Sequence, residues 1–421
     1  MASSTLADST KGFDMRTSIA GPLAGTEAGA VAAKALRACV HCGMCNATCP
    51  TYQLAGDELE GPRGRIYLMK QALEGVRPTR LTLDHLDSCL SCRACETTCP
   101  SGVEYHRLLD VGRAAVAEAV PRPWTERLFR EGLRRLTISP RLFSVLLALG
   151  RTVRPILPRT LQSRIPPRIE AGPKPTGRHS RTMLILEGCV QSAAAAHFNR
   201  STARVFDRIG IRLVEAPRAA CCGAVSFHLD AAAAARAQAR ANLDAWMPLI
   251  DQGAEALIVN SSGCAAFIKD YPDLFRDDPD YLPLARRLAA LTRDPVEVVE
   301  TADLSLARNP AAPRIAVHEP CTLQHGLKLS GRIASLLSRL GYEPQPVANN
   351  HLCCGSAGAY AILHTETANT LKANKLAALN ASGPAAIYTA NIGCWMHMVD
   401  SDAAPVRHWM EAVEAVLSDP P

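Results

Sequence analysis

Sixteen cysteines stand in this chain of 421 residues, and their spacing is what could do chemistry. Four fall in "CVHCGMCNATCP" as Cys39-x2-Cys42-x2-Cys45-x3-Cys49-Pro50, and the pattern returns in "CLSCRACETTCP" with Cys89, Cys92, Cys95, Cys99 and Pro100. Three thiolates within seven residues can wrap one face of a cuboidal iron–sulfur cluster, while the fourth, turned away by the proline, ligates the neighbouring cluster of a pair. The spacing therefore predicts one 4Fe-4S cluster on Cys39, Cys42, Cys45 and Cys99 and a second on Cys89, Cys92, Cys95 and Cys49. Zinc is the competing metal, but zinc sites draw two close cysteines from each of two separated knuckles, not three from one turn. Between the motifs, "GPRGRIYLMKQALEG" reads as a Gly/Pro turn opening a helix. That places Arg63 and Arg65 near the clusters, where they tune the potential or meet an acidic partner, unless they are only the solvated start of the helix.

The other eight cysteines belong to a repeat. "TMLILEGCVQ", "AACCGAVSFH" and "EALIVNSSGCAAF" are followed about 130 residues later by "RIAVHEPCTLQH", "HLCCGSAGAY" and "AAIYTANIGCWMH". Cys189 to Cys221 and Cys321 to Cys353 both span 32 positions, and Cys222 to Cys264 spans 42 against 40 for Cys354 to Cys394. Such matched spacing indicates a duplicated domain. "TMLILE", "ALIVN", "RIAVH" and "AIYTA" read as buried parallel strands, and the alanine-rich stretches 231–247 and 361–379 as helices, so each half is an α/β unit. The cysteines fall at strand ends or in the loops that follow, where open α/β sheets place their sites. Gly223 and Gly355 permit the tight turn that two adjacent cysteines need to address one site. The quartets Cys189, Cys221, Cys222, Cys264 and Cys321, Cys353, Cys354, Cys394 are candidate ligand sets for a further cluster; the competing readings are another metal, redox thiols or buried structural thiols.

Composition sets the frame for these sites. With 48% hydrophobic residues the chain can bury two or three cores. Cysteines gathered in motifs, without a secretory apolar leader in the first 38 residues, lead to the expectation of reduced thiols and a cytoplasmic setting. The longest apolar run, "LFSVLLALG" at 142–150, falls short of the roughly 18 to 20 residues a spanning helix needs. Basicity is concentrated. Eleven arginines between Arg122 and Arg168 face only Glu126, Glu131 and Glu170, while the whole chain carries +6. Helical stretches broken at Pro140, Pro155 and Pro158, with Trp124, Phe129, Leu133, Leu136 and Phe143 among the arginines, predict an amphipathic segment lying on an anionic leaflet or docking on a partner subunit. No nucleic-acid motif accompanies the charge.

From about residue 36 to the end, the chain resembles the iron–sulfur subunits of glycolate dehydrogenases (glycolate oxidases), within the wider group of cysteine-rich (CCG) domain proteins that includes anaerobic glycerol-3-phosphate dehydrogenase and heterodisulfide reductase subunits. The strings that carry the resemblance are "RACVHCGMCNATCPTYQLAGDELEGPRGRIYLMKQ", "CETTCPSGVEYH", "LEGCVQ", "CCGAVSFHL", "CTLQH", "HLCCGSAGAY", "TANIGC" and "VRHW". The resemblance implies an electron conduit: FAD sits only on a partner subunit that oxidises glycolate, or D-lactate, and this chain passes single electrons toward the quinone pool. The sequence agrees, in that no GxGxxG lies between a strand and a helix. The reduced thiols and the basic segment together lead to the expectation of a cytoplasmic chain held peripherally on the inner face of the plasma membrane. The heterodisulfide reductases end each half in CxxC; here the endings are "CAAF" and "CWMH", with Phe267 and His397 at the last position. That departure weakens the alternative of a reductase acting on a disulfide at a CCG-bound cluster. A metal-dependent scaffold holding zinc is a third reading.

The expected fold is α+β and multidomain: an N-terminal α-helical, two-cluster ferredoxin-like domain followed by two duplicated α/β CCG domains. The boundaries are a flexible extension over 1–35, the cluster domain over 36–120, a basic helical connector over 121–180, and CCG domains over 181–305 and 306–421. His325 and His351 are candidate quinone-side groups, with His228, His318 and His397 also close to cysteines in sequence and Glu319 a candidate proton relay.

Overall fold

The computed structural model describes residues 17–158, 162, 165–304, 308–399 and 404–418. It divides into two compact units, 1–122 and 123–421. Among its described residues the first unit is built from helices: α1 (Glu27–Ala38), α2 (Pro50–Ala55), α3 (Pro62–Leu73), α4 (Arg80–Asp87), α5 (Ala94–Thr98) and α6 (Tyr105–Ala119). Local chemistry starts each of the longer ones. Thr26 caps α1 by accepting from the Gly29 amide, Pro62 opens α3, and Thr79 with Thr82 forms a reciprocal capping box on α4. Leu36, Met69, Leu83, Leu86 and Leu108 fill the core. Gly112 lets α6 approach α3, since a Cβ there would meet the Met69 side chain at 2.6 Å. Asp87 closes the unit, accepting two bonds from Arg122 at 2.6 and 3.0 Å and one from Arg113 at 3.2 Å, all largely buried. The expectation of a flexible extension to residue 35 is corrected in part. Residues 27–38 form α1 and bury Ala32, Ala35 and Leu36 because they supply one apolar face of the core, whereas residues 1–16 lie outside the described residues.

The second unit holds two parallel sheets of identical order. β1 (Arg181–Ile185), β2 (Ile211–Glu215), β3 (Leu257–Ile258) and β4 (Thr292–Arg293) run β2-β1-β3-β4; β5 (Arg314–Val317), β6 (Glu343–Gln345), β7 (Ala386–Thr389) and β8 (Val406–His408) run β6-β5-β7-β8. Helices cross between strands, which parallel pairing requires. β1 pairs with β2 from Arg181 opposite Ile211, and β5 with β6 from Arg314 opposite Glu343. The four runs read as strands in the sequence are β1, β3, β5 and β7, the central pair of each sheet. One apolar core joins the halves: Met183, Val205 and Phe206 of the first pack with Ile315, Tyr388, Trp409 and Val413 of the second.

The basic stretch at 121–180 is not a free connector. α7 (Trp124–Ile138) packs on the short helix Ala224–His228, and α8 (Pro140–Val153) on the helix Cys189–Ala194, so both belong to the second unit. Pro140 does not break a helix there; it sits at the first position of α8 behind the N-cap Ser139. Among the described residues no single helix is long and apolar enough to cross a membrane, though α7 and α8 together reach that length with a bend of 96° between them.

The glycines of the CCG motifs offer a test of this packing. Gly355 has φ +87° and a Cβ there would meet the Ala368 carbonyl oxygen at 2.6 Å, whereas Gly383 has φ +61° and open space around it. Alanine should cost about 1 to 2 kcal/mol at both for the left-handed backbone, and clearly more at Gly355. Urea denaturation of the two variants checks this; equal losses would contradict the close approach.

Candidate iron–sulfur and thiol sites

Both cluster motifs fold onto the same backbone. In the first, His41 and Gly43 have positive φ (54° and 81°); in the second, Ser91 and Arg93 occupy the matching positions with φ of 51° and 62°. Left-handed residues on either side of the middle cysteine curl each loop so that its three sulfurs face inward. Each fourth cysteine precedes a proline, and the chain turns there. As a result Cys39, Cys42, Cys45 and Cys99 line one cavity and Cys49, Cys89, Cys92 and Cys95 line another, with Cys95 also reaching the wall of the first. These are the two groupings assigned from spacing.

The donor chemistry fits an iron–sulfur group. Burial pushes the Cys45 thiol up to about 11 and raises Cys39 and Cys95 as well. A thiol so placed gives up its proton to a cationic metal more readily than to water. Basic groups stand beside both cavities. Arg63 lines the first and pairs with Glu58 at 2.6 and 2.9 Å; Arg65 lines the second. Arg65 is no solvated helix start: it is 1% exposed, donating to the His85 carbonyl (2.7 Å), Thr51 Oγ1 (3.1 Å), Glu60 (2.7 Å) and Ser88 Oγ (2.8 Å), with Cys49 Sγ at 4.0 Å. Nor does either arginine await an outside acid, because each already has an internal one. The Tyr105 hydroxyl adds a donor 3.8 Å from Cys89 Sγ.

The quartets of the second unit form by topology. Cys189, the Cys221–Cys222 pair and Cys264 follow β1, β2 and β3; Cys321, Cys353–Cys354 and Cys394 follow β5, β6 and β7. Adjacent parallel strands end on one edge, so the three loops of each half meet there. Cys189 and Cys221 lie 3.3 Å apart, Cys221 also touches Cys222, and Cys222 touches Cys264. In the second half Cys321 and Cys353 are 3.9 Å apart, and Cys354 touches both Cys353 and Cys394. Gly223 and Gly355 have φ of +98° and +87°, and each amide donates to the first cysteine of its pair, at 3.5 and 3.4 Å. The glycine is thus required for conformation, and its amide helps hold the sulfur. The two quartets adjoin: Ser262, Thr322 and Asn391, neighbours of Cys264, Cys321 and Cys394, hydrogen-bond to one another at 2.8 to 3.3 Å.

Two of the candidate histidines bond to backbone carbonyls. His325 bonds through Nε2 to the His351 carbonyl at 3.0 Å, which brings the two residues together by ring and backbone, and burial lowers His351. His397 turns to the Ala368 carbonyl at 3.1 Å, and Phe267 packs edge-on against Tyr271, so neither closing position of the CxxC pattern supplies a thiolate. Glu319 is structural: it accepts from Ser330 and from the Gly331 amide ahead of the helix Arg332–Arg339. His318 differs. One ligand atom each from His318, Cys354 and Cys394 lies within 4.8 Å of the others, all buried. Lys375, not singled out from sequence, is 4% exposed and donates to the Asn349 and Asn350 carbonyls beside the second quartet. Its signal was available: Ala368, Leu371, Lys375 and Leu379 form the buried stripe of one helix, and a lysine in an apolar stripe marks a buried partner.

A helical unit with two cysteine-lined cavities, joined to a duplicated cysteine-rich α/β domain, defines an iron–sulfur protein of electron transfer. Comparison with known proteins agrees: a 4Fe-4S dicluster domain matches residues 35–103, and the cysteine-rich domain (CCG) matches 183–269 and again 315–399. The glycolate oxidase iron–sulfur subunit of Escherichia coli is 48% identical over 91% of this chain and 94% of its own length. The probable glycolate oxidase iron–sulfur subunit of Bacillus subtilis is 29% identical over 86% and 87%, and lactate utilization protein A of Shouchella clausii is 26% identical over 47% and 82%. The chain belongs to the family of glycolate oxidase iron–sulfur subunits.

The buried network yields the sharper prediction for the first unit. Arg65→Met removes the guanidinium and leaves Glu60 without its cation, at an expected cost of about 3 to 5 kcal/mol, together with a more negative potential for one of the unit's centres. Arg63→Met, which breaks a half-exposed pair, should cost no more than about 1 kcal/mol. Thermal unfolding and potentiometric EPR separate the two; similar losses would show that Arg65 is not the keystone its contacts indicate.

Proposed function

We propose that the chain is the electron-carrying subunit of a membrane-associated glycolate dehydrogenase. In this reading a separate FAD-bearing subunit oxidises glycolate to glyoxylate, and D-lactate is the competing substrate of that partner. Two 4Fe-4S clusters in the first unit supply one-electron chemistry toward the quinone pool. Residues of this chain hold and bias them: the two cysteine sets bind, and Arg63 and Arg65 favour the reduced state by placing positive charge beside each cavity. A further cluster is assigned to the CCG quartets. The observation that carries the reading is a pair of neighbouring cysteine-lined cavities in a chain 48% identical to a glycolate oxidase iron–sulfur subunit. The heterodisulfide alternative is disfavoured by Phe267 and His397, which face other partners.

Peripheral attachment to the inner face of the plasma membrane is part of the proposal, with the chain on the cytoplasmic side. Leu142, Val145, Leu146, Leu149 and Val153 recur at helical spacing along one side of α8, each between 42% and 57% exposed, and Ile156 beyond it is 84% exposed. Trp124, Leu128 and Phe129 expose a second apolar group on α7. Arg127, Arg135 and Arg141 stand exposed beside these residues and complement an anionic leaflet. Other arginines of the stretch are tied up inside the unit: Arg130 is buried on Glu126 and Asp230, and Arg151 donates to the Pro166 and Pro167 carbonyls.

Two experiments test these parts separately. An anaerobic pull-down of the chain from native membranes should bring an FAD protein with it and reduce quinone with glycolate; quinone reduction only with D-lactate moves the substrate, and recovery of the chain without flavin overturns the subunit assignment. In flotation with phosphatidylglycerol-containing vesicles, Leu146→Asp combined with Leu149→Asp should weaken binding at least about tenfold with unchanged circular dichroism. Undiminished flotation would remove α8 as the membrane face.

A further inference from the structure

The two quartets are chemically unequal, and the differences cluster on one side. His318 precedes Cys321 by three positions, immediately after β5, and its Nδ1 lies 2.9 Å from Thr389 Oγ1 on β7. The residues at the same positions before Cys189 and Cys264 are Leu186 and Val259, both buried and apolar. Thus a hydrogen-bonded imidazole and hydroxyl in the second half replace two aliphatic side chains in the first. The third difference is Lys375, seven residues beyond Ala368, whose carbonyl faces Gly355; the residue seven beyond Ala235, which faces Gly223 in the same way, is the neutral Asn242. Asn242 donates to the Cys221 carbonyl and accepts from the Ala220 amide, while Lys375 adds a cation that interacts with all four thiols of its quartet.

Burying an imidazole at 1% exposure carries a desolvation cost that an aliphatic residue avoids. Thr389 engages one ring nitrogen, which leaves the other for a partner on the opposite side of the ring. Cys354 and Cys394 each place a sulfur within 4.8 Å of a His318 ring nitrogen. A buried histidine whose Nδ1 meets a hydroxyl and whose ring lies beside two thiols has the makings of a metal ligand with its orienting partner. We propose that the second quartet, together with His318, forms a five-donor iron–sulfur site of four thiolates and one imidazole, oriented by Thr389, while the first quartet is an all-thiolate site. The inference rests on the reading that the CCG cysteines hold a cluster, and it distinguishes the halves by ligand type.

The test uses the full chain, reconstituted anaerobically with iron and sulfide and labelled with 15N only at histidine. Iron above the about eight atoms that two 4Fe-4S clusters account for establishes that a quartet is loaded. Pulsed EPR of the paramagnetic state should then show a strongly coupled histidine nitrogen that is lost in His318→Leu, the residue type of the first half, and in His318→Cys, which offers a sulfur at the same place and should keep the iron. The signals of the N-terminal centres should be unchanged in both variants. Iron above about eight per chain with a nitrogen coupling that is missing in wild type, or that survives both substitutions, overturns the five-donor site alone. Iron at about eight in wild type overturns the cluster reading of the quartets, and this inference with it.

Discussion

The organising constraint is electrostatic: thiolates must be held where water is scarce. Burial raises the thiols of Cys39, Cys45 and Cys95, so the bare protein keeps its proton where a cluster needs a ligand. A metal resolves the conflict by supplying positive charge, and the fold adds more. Arg65, 4.0 Å from Cys49 Sγ, is buried against the second cavity, and Lys375 is buried against the second quartet. Each of these cations is itself held by oxygen acceptors, Glu60 and the His85 carbonyl in one case and two asparagine carbonyls in the other. Removing the sulfurs beside Lys375 would leave a buried ammonium on neutral carbonyls, which couples local folding there to metal occupancy.

The same constraint explains why two unlike architectures serve one protein. In the first unit three of the four ligands of each set lie within seven residues and a left-handed loop gathers them, the fourth coming from the other motif, so short helices suffice. In the second unit an adjacent pair lies 32 to 42 residues from the single cysteine on either side, and a sheet gathers them. Parallel strands connected by helices deliver their following loops to one edge, and β2-β1-β3 places the three cysteine-bearing loops side by side. The shared core of Phe206 and Trp409 then binds the two copies into one unit, and the Ser262–Thr322–Asn391 bonds set one quartet beside the other.

Much of this was legible in the sequence because spacing encodes it directly. The ligand groupings of Cys39 to Cys99 follow from CxxCxxCxxxCP, and the duplication follows from equal intervals. Central strands such as "RIAVH" announce themselves as short apolar runs, whereas β4 and β6 have two and three residues and take their extended form from pairing with a neighbour. Buried charge was the harder matter. Arg65 stands near the start of a helix, a position usually solvated, and only the fold reveals that Glu60, Ser88 and the His85 carbonyl converge on it. Lys375 hides in an alanine-rich helix, and the fate of His397 and Glu319 depended on partners, the Ala368 carbonyl and the Ser330–Gly331 turn, that spacing does not bring together.

Duplication begins with two equal sites, and the structure shows where equality has ended. His318, Thr389 and Lys375 all face the second quartet, and their first-half counterparts Leu186, Val259 and Asn242 are neutral. Three polar substitutions scattered through a buried core would each add a desolvation penalty with nothing to offset it. Gathered around four thiols they offset one another: the lysine answers the sulfur charge, the hydroxyl fixes the imidazole, and the imidazole faces Cys354 and Cys394. An electron arriving at two adjoining sites so built would meet different electrostatic surroundings at each, and the half with the buried cation would hold it more firmly. On the proposed reading, in which both quartets hold clusters, that difference biases the direction of flow between them.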